Sequence, residues 1–112
     1  MAANTAMLQK LQKNWMIESL DFHVKGYWEL DSAGKAFDLT LLQSKPETAS
    51  NTNTIPYLTT RNNHDVIQFE PSAFYEIDRI EEQKLVLTYY VVMATGEREE
   101  VVRVFTIRLM ML

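Results

Sequence analysis

Apolar side chains recur along this chain with two different periods. In residues 1–13, Ala3, Met7, Leu8 and Leu11 fall at helical spacing, and Gln9, Lys10, Gln12 and Lys13 take the other side. That pattern predicts a short amphipathic helix, which Asn4 or Thr5 can cap through a side-chain oxygen. A helix of roughly three turns is marginal alone, so it must dock on something larger.

After Asn14 the period becomes that of strands. Residues 15–22 are rich in aromatic and β-branched side chains, and His23-Val24-Lys25-Gly26 turns the chain. Residues 27–31 alternate, with Trp28 and Leu30 on one side. Asp31-Ser32-Ala33-Gly34-Lys35 then reads as a hairpin turn in which Gly34 takes positive φ, and 36–43 is the returning strand. Residues 44–54 carry no large apolar side chain and read as a surface loop. Strands resume at 55–60, where Pro56 removes a ladder donor and implies an edge or irregular strand. A turn at Arg61–Asp65 leads to strand 66–70, and Pro71-Ser72 leads to strand 73–79. Glu81-Glu82-Gln83 leads to 84–93, and Ala94–Glu97 to a last strand from Glu99 to Met110.

About eight strands with short connections suggest an all-β, antiparallel up-and-down arrangement. Open edges are a liability in so small a sheet, and closure into an eight-stranded barrel removes them. The reading is therefore one domain: an N-terminal helix over 1–13 and a β-barrel over 14–112. The alternative is an α+β fold, with the helix packed on a curved antiparallel sheet and much of 55–70 as loop.

Composition narrows the function. The 112 residues suit a single domain, and a net charge of −4 disfavours nucleic acid and anionic membrane as partners. With no cysteine, disulfides, thiolate metal sites and cysteine nucleophiles are excluded. No run of about eighteen apolar residues spans a membrane. Residues 1–13 do not read as a secretory signal. Taken literally the chain is cytoplasmic; the alternative is export, with a leader outside this sequence.

Several short motifs resemble those of small bacterial lipocalin-like, calycin-type domains. Leu11-x-x-x-Trp15 after a short helix is similar to their opening motif, in which a tryptophan plugs one barrel end. Trp28-Glu29-Leu30-Asp31-x-x-Gly34 resembles their second motif. Tyr75-Glu76-Ile77 followed by Leu85-Val86-Leu87 resembles their paired late strands. The resemblance implies an arginine of the last strand packed over the tryptophan; Arg108 is first candidate and Arg103 second. It also implies a lumen that holds a small hydrophobic ligand.

Candidate site residues follow from the strand pattern. On the last strand Val101, Arg103, Phe105, Ile107 and Leu109 share one face, by simple alternation, and Arg108 lies on the other. A guanidinium inside an apolar row needs a partner or an anionic ligand. Arg103-x-Phe105 resembles the Arg-x-Tyr pair that holds a carboxylate in intracellular fatty-acid-binding barrels. Trp28, Phe69, Tyr75 and Tyr89 can line an apolar cavity with Phe105. The expected function is non-catalytic binding of a small hydrophobic molecule, including carboxylates such as fatty acids, with no cofactor.

Other classes stay in play. The barrel can be filled and serve as a protein-interaction or dimerisation module, because both faces of 85–93 are apolar and the outer one needs cover from the helix or a second chain. A small hydrolase or isomerase would need an inward acid. His23 and His64 fall in turns, without a second ligand at metal spacing. No phosphate loop, HExxH or Gly-x-Ser-x-Gly is present.

Overall fold

A computed structural model describes residues 5–24, 34–44, 56–70 and 72–112, except for the side chains of Ser44, Phe69 and Glu70. The chain is mostly β, with one short helix and a curled antiparallel sheet that forms a half-barrel. Helix α1 spans Thr5–Leu11. The strands are β1 (Asn14–Phe22), β2 (Ala36–Asp38), β3 (Gln43–Ser44), β4 (Tyr57–Arg61), β5 (His64–Glu70), β6 (Ala73–Ile80), β7 (Lys84–Thr95) and β8 (Arg98–Met111). Their order in the sheet is β2-β1-β8-β7-β6-β5-β4-β3. All pairs are antiparallel except β3 with β4.

Segment 36–44 departs from the single strand its apolar content predicts. It splits into β2, paired with β1, and β3, paired with β4. Asp38 causes the break. Its carboxylate accepts the Thr40 backbone N–H (2.8 Å) and hydroxyl (2.6 Å), which bends the chain after β2. Leu39 and Leu42 then both enter the core, three residues apart, as in a helical turn rather than a strand. Among the described residues no ladder joins β2 to β3, so this short segment, rather than hydrogen bonding, links the two ends of the half-barrel. The proposed hairpin partner 27–31 and the loop 45–54 lie outside the described residues.

The hairpins follow from their turn residues. Asn62 (φ 51°) and Asn63 (φ 66°) form a two-residue left-handed turn between β4 and β5. The turn is thus shorter than Arg61–Asp65, and His64 and Asp65 already belong to β5. Gly96 (φ 64°) and Glu97 close the β7–β8 hairpin, and Gly34 takes the expected positive φ (86°).

Register shifts interrupt the alternation at Ile17/Ser19, Gln68/Glu70, Ile77/Arg79 and Tyr89/Tyr90. Each inserts one residue opposite a partner and increases local bend and twist. The curl they accompany encloses a core of Leu11, Trp15, Ile17, Leu39, Leu42, Leu58, Ile67, Leu85, Leu87, Ile107 and Leu109. Met7 and Leu8 of α1 pack on this same inner side. The helix therefore caps the core and does not cover the outer face of β7.

Trp15 is fully buried, and its indole N–H donates to the Leu11 carbonyl (3.0 Å) at the helix C-terminus, which also accepts the Lys13 backbone N–H (2.7 Å). The cation over its ring is Lys13, 5.8 Å from the centroid. The expected Trp15–Arg108 contact gives way to another arrangement. Arg108 neighbours Ile107 and Leu109, which face the core, so it points outward and pairs with exposed Asp21.

Candidate functional site: an aromatic shelf

The inner face changes character along the strands. Leu85 and Leu109 form one register level, and Leu87, Ile107 and Leu20 the next. At the following level the side chains become aromatic. Phe22 of β1 lies opposite Phe105 of β8, Phe105 opposite Tyr89 of β7, and Tyr89 opposite Tyr75 of β6. Four adjacent strands thus contribute one ring each at one level.

Centroid separations are 5.6 Å for Phe22–Phe105, 5.0 Å for Phe105–Tyr89 and 4.8 Å for Tyr89–Tyr75. Tyr89 and Phe105 are stacked at 26°, while Tyr75 meets Phe105 edge-on at 6.2 Å. Phe37 of β2 approaches from the far side of the curl and meets Tyr75 edge-on at 5.6 Å and 82°. Such offset and edge geometries are the favoured ones for aromatic pairs. All five rings are half-buried, whereas in the aliphatic levels below Leu85, Leu87, Ile107 and Leu109 are fully buried and Leu20 is partly so. The shelf is where the packed interior meets solvent.

Three sequence-derived site residues, Tyr75, Tyr89 and Phe105, come together here. Phe22 and Phe37 join them, and neither stands out in the sequence. Phe22 continues the inward series Ile17, Leu20, Phe22, but the bulge at Glu18 shifts that series out of strict alternation from Trp15. Phe37 reaches the shelf only because the chain breaks after Asp38. Trp28 lies outside the described residues, and so does the side chain of Phe69.

Arg103 does not join the shelf. The shift at Tyr89/Tyr90 leaves Val104 without an opposite residue, so Phe105 faces Tyr89 while Arg103 faces Tyr90. Consecutive residues of β7 point to opposite sides, and Arg103 accordingly lies with Tyr90 on the outer face, exposed to solvent. There Tyr90 stacks on Phe74 (5.2 Å, 17°), and the Arg61 guanidinium lies over the Phe74 ring at 4.7 Å. Burial raises the Tyr90 hydroxyl above its ordinary pKa; the carboxylates of Glu76 and Asp78 add to this, and Arg103 opposes it.

A polar chain crosses the outer face nearby. His23 Nε2 bonds the Thr106 hydroxyl (2.7 Å), which lies 3.2 Å from the Thr88 hydroxyl. Thr88 in turn donates to Asp78. His23 is thus tied to the sheet rather than left in a free turn, while His64 sits at the exposed start of β5 opposite Arg61. Among the described residues no group of three or more histidine or carboxylate side chains is placed to hold a metal ion. No helix of the described residues is long and apolar enough to cross a membrane.

The fold and site define a small curled β half-barrel, capped by a helix at one end and lined by aromatic rings at the other. No protein-family model, curated protein or solved structure matches the chain.

Proposed function

We propose that this protein binds a small apolar molecule on the inner aromatic shelf, without chemical transformation. The observation that carries this reading is the in-register set Phe22, Phe105, Tyr89 and Tyr75, half-buried above a closed aliphatic core. Rings of this kind offer flat apolar area at little conformational cost, and binding pockets are lined in just that way. The lipocalin-like motifs point to the same class of ligand. Because Arg103 lies on the outer face, the reading rests on apolar contact rather than on capture of a carboxylate. A neutral aromatic or alicyclic ligand suits it better than a fatty acid.

The test is a fluorescence titration with a hydrophobic dye, followed by displacement with neutral apolar compounds and with fatty acids. Saturable binding that Tyr89→Ala weakens by about tenfold supports the reading. A chain that binds neither dye nor competitor overturns it.

One observation favours a second activity, self-association. The β7–β8 hairpin carries exposed Met93 and Val101, at 53% and 47% of their full surface.

A further inference from the structure

The β7–β8 hairpin runs past its neighbours. The β6 ladder ends on β7 at Val91, and the β1 ladder ends on β8 at Phe105. One more bond, from the His23 N–H to the Val104 carbonyl (2.7 Å), finishes the β1 side. Beyond it, residues 98–103 have β7 on one side and, among the described residues, no ladder on the other. Glu99, Glu100, Val101 and Arg103 are all exposed.

Register shows which backbone groups face outward. The Val92 N–H bonds the Ser72 carbonyl (2.8 Å), away from β8. Residues directly opposite in an antiparallel pair orient their backbone groups alike, so Val101, opposite Val92, also turns its N–H and C=O outward. Alternation extends this to Glu99 and Arg103. The same three residues share one side-chain face. An edge of this kind is a template for another strand.

We propose that the chain forms a two-fold dimer by antiparallel pairing of β8 with β8 of a second copy, centred on Val101. In that register Val101 meets its own copy on the dyad. Glu99 meets Arg103 at both ends, which places opposite charges directly across the strands. Moving the centre to between Glu100 and Val101 would set Arg98 against Arg103, like charges facing one another. A parallel in-register pairing would set Glu99 against Glu99. Charge complementarity thus selects both the partner and the register. Val92, beside Val101 on β7, extends the dyad contact into a continuous valine row across the joined hairpins. The interface is isologous, as two-fold symmetry requires. It is independent of ligand binding on the inner face.

Because the chain has no cysteine, Val101→Cys introduces a single thiol at the proposed dyad. Opposed Cα atoms of a hydrogen-bonded antiparallel pair lie about 5.5 Å apart, within disulfide reach. Mild oxidation is expected to give a covalent dimer from Val101→Cys and little from Glu100→Cys, whose thiols would be offset along the strand. In sedimentation, Glu99→Arg or Arg103→Glu alone is expected to weaken the dimer by at least about tenfold, and the double reversal to restore it to within about threefold. Circular dichroism checks that each variant keeps its fold. A chain that is monomeric at millimolar concentration overturns the proposal. So does a dimer indifferent to the single reversals, or one that crosslinks equally through both positions.

Discussion

Arg103 and Phe105 stand two residues apart on β8 yet face opposite sides of the sheet, because Val104 is inserted between them without an opposite residue on β7. Phe105 stacks on Tyr89 inside, and Arg103 lies beside Tyr90 outside. The arginine of an Arg-x-Phe pair is thereby withheld from an inner-face ligand. Arg103→Ala is therefore expected to change the affinity for a neutral hydrophobic dye by less than about twofold, whereas Phe105→Ala weakens it by about tenfold. Parallel titrations of the two variants check this.

The helix–strand corner depends on Trp15. Trp15→Phe removes the indole N–H from the Leu11 carbonyl and leaves a void among closely packed side chains. The expected loss of stability is about 1–3 kcal/mol in urea unfolding. Arg108→Ala breaks only the exposed pair with Asp21 and is expected to cost less than about 1 kcal/mol. Equal losses in the two variants would contradict this division of roles.

The β4–β5 turn makes a backbone prediction. Asn62 and Asn63 both hold positive φ, a region that β-branched residues resist. Asn63→Val is expected to destabilise the fold by about 1–2 kcal/mol, and Asn63→Gly to be close to neutral, since glycine adopts this region freely. Thermal melts of the two variants distinguish a conformational cause from loss of the amide.

Stability should depend on pH at both extremes. The Thr40 hydroxyl and N–H hold the Asp38 carboxyl below its usual value, so its contribution is present above about pH 4 and is lost as pH falls through the lowered folded value. Tyr90 is raised, chiefly by burial. Its contribution is intact below about pH 10 and is lost as pH rises through the folded value, because the unfolded chain ionises first. Asp38→Asn is expected to flatten the acid limb of a stability profile, and Tyr90→Phe the alkaline limb.

Strand positions were largely legible in the sequence because period and turn chemistry are local. The runs at 15–22, 73–79 and 84–93 all became strands, and the helix formed over Thr5–Leu11. Facing was legible only where alternation is unbroken. Alternation places Tyr89 and Phe105 inward, and aromatic character alone marks Tyr75, but the inserted Val104 moves Arg103 to the other side, and nothing local in Arg-Val-Phe signals a bulge. Phe37 was hidden for a different reason. Its place on the shelf depends on the turn that Asp38 and Thr40 make within an apolar run that otherwise reads as one strand. The cation over Trp15 was likewise settled by tertiary packing, which put Lys13 at the ring and turned Arg108 outward.

Whether the aromatic shelf receives an apolar ligand is decided by an NMR titration of the aromatic side-chain resonances with a neutral hydrophobic probe. Binding at the shelf is expected to give saturable shifts at Phe22, Tyr75, Tyr89 and Phe105, with the core level of Leu85 and Leu109 unchanged. Shifts confined to the projecting end of the β7–β8 hairpin, from Val92 to Val101, or no saturable shift at any of the four rings, would contradict it.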